Sequence, residues 1–282
     1  MKDKICIVSG ATSGIGKVTA TALASQGAQI IMLCRNKDKG EQVKEEIIHK
    51  TGNTNIRFFL VDFSSQKDIR KAAEEINASV PHIDLLVNNA GAFYDKRTVT
   101  EDNLELTFAV NHIGYFLLTQ LLLDKIKKAP KARIVNVASQ AQMMGSIYFD
   151  DINLEKGFMP MKAYAQSKLA NIMFTFELAE KLKDTGITVN CLHPGVVNTG
   201  FSKNGTSLFT TLFNSASRFF MTPEQGAQTS IWLATSPEVE GISGKYFARK
   251  KEIRAKKIAY DKQARKRLWE LSEQVAKIKY NL

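Results

Sequence analysis

Tyr164 and Lys168 are the two residues whose types and spacing indicate chemistry most directly. They lie four positions apart, so on a helix they share one face and can act on the same bound molecule. A free tyrosine has a pKa of about 10, which is too high for efficient proton exchange at neutral pH. A neighbouring ammonium group favours the phenolate and lowers that pKa. We therefore expect Tyr164 to exchange protons with a substrate and Lys168 to lower its pKa.

A second candidate site is the segment Ser9 to Gly16, which follows a strand-like apolar run and precedes a helix-like segment. Gly10 permits a tight turn there, and Gly14 lets the backbone approach a phosphate. The N-terminus of the following helix would face a pyrophosphate with its partial positive charge. Three glycines alone are a weak signal, but this context is the one that dinucleotide binding requires. The predicted contacts are Gly10, Ser13, Gly14, Ile15 and Gly16.

The end of the second predicted strand indicates which dinucleotide binds. An enzyme that uses NAD usually has an acidic residue there for the ribose 2′-hydroxyl, whereas this chain has Arg35. The planar guanidinium group suits the oxygens of a 2′-phosphate. Lys17 could add a second positive charge, unless both side chains only face solvent. We expect NADP(H) as the cofactor, with NAD(H) less favoured.

Strand-like and helix-like segments alternate along the chain, which predicts an α/β fold with a doubly wound parallel sheet, the Rossmann fold. The strands are expected at 5–8, 30–33, 56–61, 83–87, 133–137 and 188–192, with a short last strand near 244–247. Helices are expected at 37–50, 66–78, 103–129 and 161–184, and one more starts at Pro223 behind the cap Thr222. We expect one catalytic domain at 1–248 and a basic helical extension at 249–282, with its helix near 259–278.

Further polar residues stand near the ends of the predicted strands. Asp62 follows the third strand, Asn88-Asn89-Ala90-Gly91 follows the fourth, and Ser139 follows the fifth, while Asn111 lies inside a predicted helix. Together with the glycine turn and the Tyr-x-x-x-Lys spacing, this combination resembles the short-chain dehydrogenase/reductase family. The resemblance covers essentially the whole body of the chain.

The resemblance implies a role for each of these residues. Tyr164 would exchange a proton with the substrate oxygen while a hydride moves to or from the nicotinamide, and Ser139 would position that oxygen. Lys168 would tune Tyr164 and bind the cofactor ribose, and Asn111 would hold a water next to Lys168. No metal is needed. The other implied cofactor contacts are Asp62 and Phe63 at the adenine, Asn88, Ala90 and Gly91 beside the cofactor, and Pro194, Gly195, Val197 and Thr199 at the nicotinamide.

Other motifs narrow the resemblance to the retinol dehydrogenase branch, which includes the dehydrogenase part of WW-domain oxidoreductases. They are Cys34-Arg35-Asn36, Asn111-His112-x-Gly114, Leu192-His193-Pro194-Gly195 and the stretch from Ala264 to Ser272. This branch typically reduces retinal and other lipophilic carbonyls with NADPH. An apolar segment at about 198–222 is expected to form a substrate lid, although two ordinary core helices would also explain it.

Charge and cysteine usage limit the remaining functions. Of the net charge of +11, a surplus of +8 lies in residues 249–282, with 12 Lys and Arg against 4 Asp and Glu. A solvated helix face is the simplest explanation, and peripheral membrane contact is the alternative; nucleic acid is disfavoured. Three cysteines in apolar runs and four unclustered histidines indicate neither disulfides nor a metal site.

We therefore expect a cytoplasmic enzyme acting on a small lipophilic carbonyl or alcohol, with homo-oligomerisation open. A reductase of carbon-carbon double bonds, as in the related protochlorophyllide reductases, would use the same site. A cofactor-binding scaffold with a basic tail for partners is the competing hypothesis from another class of protein.

Overall fold

The doubly wound fold is confirmed by the computed structural model, which describes residues 1–197 and 221–280. Within these ranges one sheet has the order β3-β2-β1-β4-β5-β6-β7-β8, and all described pairs are parallel except β7 with β8. The strands are β1 (Ile5–Ser9), β2 (Gln29–Cys34), β3 (Ile56–Leu60), β4 (Leu85–Asn88), β5 (Arg133–Val137), β6 (Thr188–Leu192), β7 (Tyr246–Ala248) and β8 (Lys251–Glu252).

The order of the strands fixes where a ligand can bind. From β1 the chain moves outwards to β2 and β3, and it then returns to place β4 on the other side of β1. The loops after β1 and β4 therefore leave in opposite directions and open a crevice at the carboxyl ends of the strands. The inner strands read as continuous apolar runs because helices cover both faces of the sheet.

Seven α-helices flank this sheet in the described ranges. They are α1 (Gly14–Ala24), α2 (Lys37–Thr51), α3 (Gln66–Ser79), α4 (Gly114–Lys127), α5 (Pro160–Lys181), α6 (Pro223–Thr235) and α7 (Lys262–Val275). The predicted start of α6 is confirmed by a capping box, in which Thr222 Oγ1 accepts from Gln225 N and Gln225 Oε1 accepts from Thr222 N.

The long helix expected at 103–129 is interrupted. A short α-helical turn (Leu106–Phe108) leads into a π-helical segment (Ala109–Ile113), and α4 follows it. The buried carboxylate of Glu105 caps the turn, accepting from the backbone N–H groups of Thr107 and Phe108 at 2.8 Å each. Gly114 N donates to Ala109 O, five residues earlier, so the segment holds one more residue than an α-helical turn.

The basic C-terminal segment is folded against the catalytic domain. Its helix is shorter than expected: a 3-10 turn (Lys257–Tyr260) precedes α7, whose first turn is capped by Asp261. One face of α7 packs on α5, and its Trp269 is only 5% exposed. Most of its charged residues lie on the opposite face, so the helix is amphipathic and the charge faces solvent.

The apolar stretch Leu106–Lys127 is long and hydrophobic enough to cross a membrane, but 83% of its most apolar window is buried inside the protein. It belongs to the main hydrophobic core, where Tyr115, Phe116 and Leu118 have almost no exposed surface. Its hydropathy is therefore accounted for by packing.

The three cysteines are buried and free. Cys6 lies in β1, Cys34 ends β2 and Cys191 lies in β6. Burial raises the pKa of all three thiols, that of Cys34 to about 11. None of them carries a thiolate at neutral pH.

Candidate active site

A cavity of about 540 Å³ opens at the carboxyl ends of β1, β4, β5 and β6. The predicted residues that line it are Gly10, Ser13, Gly14, Ile15, Ala90, Gly91, Ser139, Tyr164, Lys168, Pro194, Gly195 and Val197. The predicted residues that do not line it are Gly16, Arg35, Asp62, Phe63, Asn88 and Asn111. Thr199 and almost all of the expected lid lie outside the described residues.

The glycine turn is shaped for close approach of a ligand. Gly10 has a φ of +65°, and a Cβ on it would lie 2.9 Å from the Cα of Ala90. Ser13 occupies the N-cap position of α1 without its side chain accepting a hydrogen bond, and no acidic residue lies in the first turn. The N-terminus of α1 therefore keeps the donor groups and partial charge that bind a phosphate.

The loop after β4 holds this turn in place. Ser9 Oγ accepts from the backbone N–H groups of Asn89 and Ala90 at 2.8 and 2.9 Å. The Asn89 side chain donates to Ser9 O at 2.9 Å and to Gly10 O at 3.3 Å. Asn88 points into the core instead, where it donates to Thr119 Oγ1 and Asn136 Oδ1. Asn89, rather than Asn88, is the direct support of the turn.

Tyr164 and Lys168 lie on the cavity wall, on the first turns of α5. Lys168 is 3% exposed; its Nζ donates to Val137 O at 3.2 Å and lies 5.7 Å from the ring centroid of Tyr164. Ser139 follows β5 and forms a side-chain hydrogen bond with Tyr164. Three polar groups from two elements thus meet in one half-enclosed space.

Burial decides the protonation of this pair. It raises the pKa of Tyr164 to about 12, although the hydrogen bond from Ser139 opposes the shift, and it lowers the pKa of Lys168 to about 7. The expected lowering of the Tyr164 pKa by Lys168 is therefore not found. The reason is that the amine is itself largely desolvated and only partly protonated at neutral pH.

Asn111 stands in the π-helical segment, behind the cavity wall. Its Oδ1 accepts from Ala92 N at 2.8 Å, and its Nδ2 donates to Ala92 O at 2.9 Å and to Ser167 Oγ at 3.0 Å. A Cβ on Gly91 would lie 3.3 Å from both Asn111 Oδ1 and Lys168 Nζ. The two side chains therefore face one small space, which the absence of a side chain at Gly91 leaves open.

Comparison with known proteins identifies the family. The sequence profile of the family described as short chain dehydrogenase matches residues 4–207. The chain is a short-chain dehydrogenase. It is 42% identical over 286 residues to retinol dehydrogenase 14 of Mus musculus, covering 97% of this chain and 86% of the relative. This places it in the retinol dehydrogenase-like branch, among oxidoreductases that act on CH–OH groups.

Solved structures agree with this assignment. An uncharacterized protein from Mycobacterium Paratuberculosis superposes with a TM-score of 0.81 at 28% identity, covering 100% of this chain and 96% of its own. A short chain dehydrogenase from Shigella flexneri 2a, complexed with NADP, superposes with a TM-score of 0.68 at 25% identity, covering 88% and 97%. The Rossmann-like architecture is shared throughout.

The positive charges of this short-chain dehydrogenase near the expected adenosine end differ in their surroundings. Arg35 is 69% exposed, and its Nη1 lies 3.9 Å from Asp62 Oδ2. Lys17 forms an ion pair with Glu46 of α2. Each cation therefore has an acidic partner, and Arg35 also forms a side-chain hydrogen bond with Tyr94. Arg35 is the more exposed of the two, and its contact with Asp62 is longer than that of Lys17 with Glu46, so Arg35 is the better placed to meet a phosphate.

Sequence reasoning missed several residues of the cavity wall. Phe93, Met144, Met161 and Val196 supply apolar surface to the cavity lining, and Phe93 packs edge-on against Tyr164. No motif marks them, because their role depends only on which loop tips the fold brings together. His193, which also lines the cavity, accepts from Gly195 N at 3.2 Å and so shapes its own loop.

A metal centre finds no support in the described part of the chain. Within residues 1–197 and 221–280, no group of three or more His, Cys, Asp and Glu side chains could hold a metal ion.

Proposed function

We propose that this short-chain dehydrogenase uses NADP(H) to interconvert a lipophilic aldehyde or ketone and its alcohol, with Tyr164 as the acid and base. The observation that carries the proposal is the single cavity lined by the glycine turn, Ser139, Tyr164 and Lys168. A cofactor and a substrate that share this cavity would meet at the hydroxyl of Tyr164.

The residues present fit a phosphorylated dinucleotide. A pyrophosphate would lie against the glycine turn, where a Cβ on Gly10 would collide with Ala90 and where α1 lacks a side-chain cap. Arg35 would pair with a 2′-phosphate, and the NADP in the Shigella flexneri relative supports that choice. When bound, the nicotinamide supplies or accepts the hydride.

The side chains of the protein supply and remove the proton of the reaction. In the reducing direction Tyr164, protonated at neutral pH, donates its proton to the carbonyl oxygen as the carbonyl carbon gains the hydride. Ser139 donates a hydrogen bond to that oxygen. The phenolate left behind favours the protonated form of Lys168, which lies near enough to stabilise it. Oxidation of the alcohol reverses each transfer. Asn111 would hold a water that returns a proton through Lys168.

The lining of the cavity favours a lipophilic substrate. Phe93, Met144, Met161 and Val196 are apolar residues of the lining, and Met144 is 66% exposed. Methionine side chains adapt to differently shaped apolar groups, since they are unbranched and flexible. The retinol dehydrogenase name of the Mus musculus relative agrees with such a substrate.

We also propose a cytoplasmic location with membrane contact only at the periphery, through the apolar segment near 198–222 and the exposed basic face of α7. Sedimentation with anionic liposomes tests this; protein that stays entirely in the supernatant at low salt would contradict it.

The reaction is tested by following NADPH and NADH oxidation with all-trans-retinal, medium-chain aldehydes and simple ketones. We expect turnover with NADPH, and Tyr164→Phe should lower kcat by at least about a hundredfold while cofactor binding persists. The same substitution at Tyr148, outside the cavity lining, is the matched control. Turnover that survives in Tyr164→Phe would overturn the proposal, and product analysis would reveal reduction of a double bond instead.

A further inference from the structure

Helix α7 places one hydroxyl group, that of Ser272, in the hydrophobic core. Ser272 is fully buried, and its Oγ donates to Leu268 O, within the same helix, at 2.8 Å. Its Oγ also lies 2.9 Å from Nε2 of His112. A hydroxyl has one proton, and here the carbonyl of Leu268 takes it. Ser272 therefore accepts from His112, whose proton is on Nε2.

The other nitrogen of the imidazole faces α5. Asn171 lies beside it, with 3.4 Å between Oδ1 and Nδ1, and the Nδ2 of Asn171 has no hydrogen-bond partner among the described residues. If this amide were turned by 180°, its NH₂ group would donate to Nδ1. His112 therefore contacts α7 through Nε2 and α5 through Nδ1.

The imidazole ring of His112 is buried and uncharged. It has no exposed surface and lies between Phe108 and Phe174, with centroid distances of 5.0 and 6.2 Å. Burial lowers the pKa of His112 to about 3. His112 consequently carries no charge at neutral pH, and it does not line the cavity. Any effect of His112 on the reaction must therefore act through the residues that it contacts.

His112 follows Asn111 in the π-helical segment, and the two side chains are held on different sides of it. Asn111 is bonded to Ala92 and Ser167 beside the cavity, and His112 is bonded to the far helix. Single-turn π-helical segments within α-helices are rare and are frequently found at functional sites. The contacts of His112 stand one residue from the atoms that face Lys168.

We propose that His112 and Ser272 are positioning residues, which hold the π-helical segment so that Asn111 faces Lys168. The inference rests on the proposed function, in which Asn111 and Lys168 return the proton. It makes α7 a part of the active enzyme and assigns a role to a C-terminal segment that its charge alone does not explain.

The test compares Ser272→Ala with Ser272→Thr, which keeps the hydroxyl. The control is Arg265→Met, a change on the same helix as Ser272 that removes the ion pair of Arg265 with Glu177 of α5. We expect Ser272→Ala to lower kcat about tenfold and to shift the pH profile of kcat, with KM values for NADPH and carbonyl within about twofold of the parent. Ser272→Thr should restore the parent kcat, and Arg265→Met should leave it unchanged at a comparable loss of thermal stability.

Two results would overturn the inference: an unchanged pH profile in Ser272→Ala, or an equal change in Arg265→Met. If Ser272→Ala fails to fold, His112→Phe keeps the ring volume and removes the same hydrogen bond. A parent enzyme without turnover on any carbonyl would instead refute the proposed function. In that case, nitrogen-15 NMR of the full chain tests the positioning role without turnover. The resonance of the Asn111 side-chain amide should shift in Ser272→Ala and should not shift in Arg265→Met. An unshifted resonance in Ser272→Ala would reject the positioning role.

Discussion

Burial acts on both members of the Tyr164–Lys168 pair in the same sense, since it disfavours charge on each. The pKa of the phenol is raised to about 12 and that of the amine is lowered to about 7. At neutral pH Tyr164 is therefore a phenol that can donate its proton, and the amine of Lys168 is close to the midpoint of its titration. A carbonyl oxygen that accepts the proton of Tyr164 meets a site already in the required state.

The same burial of Lys168 lowers the free energy of unfolding at pH values below the pKa of an exposed lysine. An unfolded chain binds a proton at Lys168 up to about pH 10.4, whereas the folded chain releases it above about pH 7. Between these values the unfolded state binds more protons, so the free energy of unfolding rises with pH by at most about 1.4 kcal/mol per unit. Lys168→Met should flatten this slope and increase stability at pH 7, as measured by urea unfolding of cofactor-free protein at pH 7, 8 and 9.

Lys156→Met is the matched control for that experiment, because Lys156 is exposed and should leave the slope unchanged. Equal slopes in the parent and in Lys168→Met would show that the amine is solvated.

Arg35 and Lys17 allow the cofactor preference to be assigned to one charge. A charge-assisted hydrogen bond contributes about 1.5–3 kcal/mol, so Arg35→Ala should lower kcat/KM for NADPH by about ten- to a hundredfold. The value for NADH should stay within about twofold. Lys17→Ala should change neither, since Lys17 is less exposed than Arg35 and is held more closely by its acidic partner, Glu46. A large loss for NADPH in Lys17→Ala would reverse this assignment.

For single residues, the sequence predicted which side chains lie together better than it predicted their protonation. Spacing alone placed Tyr164 and Lys168 on one helix face, because a helix has a fixed period. Their protonation depends on how deeply neighbouring loops bury them, which no local pattern contains. The pairing of Lys17 with Glu46 was unpredictable for the same reason, as it joins two helices.

Among the elements, the turns after β1 and β4 behave as one unit. Ser9 ends β1, yet its hydroxyl accepts two backbone N–H groups from the loop after β4. The side chain of Asn89, in the loop after β4, donates a hydrogen bond to Ser9 O at the start of the glycine turn. Two neighbouring strands thus fix the surface on which a pyrophosphate would lie.

Removing that hydroxyl should loosen both turns. Ser9→Ala leaves two backbone N–H groups without an acceptor, each costing about 1–3 kcal/mol. We expect a loss of about 2 kcal/mol or more in the free energy of unfolding, together with weaker NADPH binding, as measured by urea unfolding and by fluorescence titration. Ser9→Thr retains the acceptor and should bind NADPH nearly as well as the parent. Full binding by Ser9→Ala would mean that the glycine turn holds its shape without β4.

Strand and helix order could be predicted because parallel strands and crossover helices have distinct periods and lengths. The π-helical segment could not, since one extra residue hardly disturbs an already continuous apolar run. Its start is set by Glu105, a buried acidic cap whose partners are backbone groups.

For the molecule as a whole, the basic C-terminal segment completes the core. Trp269 packs on Phe116 and Phe174 with centroid distances of 5.1 and 5.9 Å, and Tyr280 donates to Phe116 O at 2.7 Å. Charge counting predicted an extension here because it records the exposed face of α7 and not the buried one. The segment covers α4 and α5, so self-association through those helix faces would first require it to leave.

The two tryptophans give a direct comparison of this packing. Trp269→Ala should cost about 3–5 kcal/mol, the range for a large side chain removed from a core, and should lower the urea midpoint in a single transition. Trp232→Ala, at a half-buried position beside Glu238, should cost less. A separate early transition in the parent would show instead that α7 unfolds independently of the sheet.

The three buried cysteines can serve as chemical probes of how often each part of the sheet opens. Cys34 and Cys6 lie in the adjacent strands β2 and β1, and Cys191 lies in β6, three strands from β1. Because each thiol is protonated and enclosed, an alkylating reagent can react only after the strand has opened. The rate of modification at each position then measures the opening of that part of the sheet in native buffer. Equal rates would mean that the two sides of the crevice separate only when the entire protein unfolds.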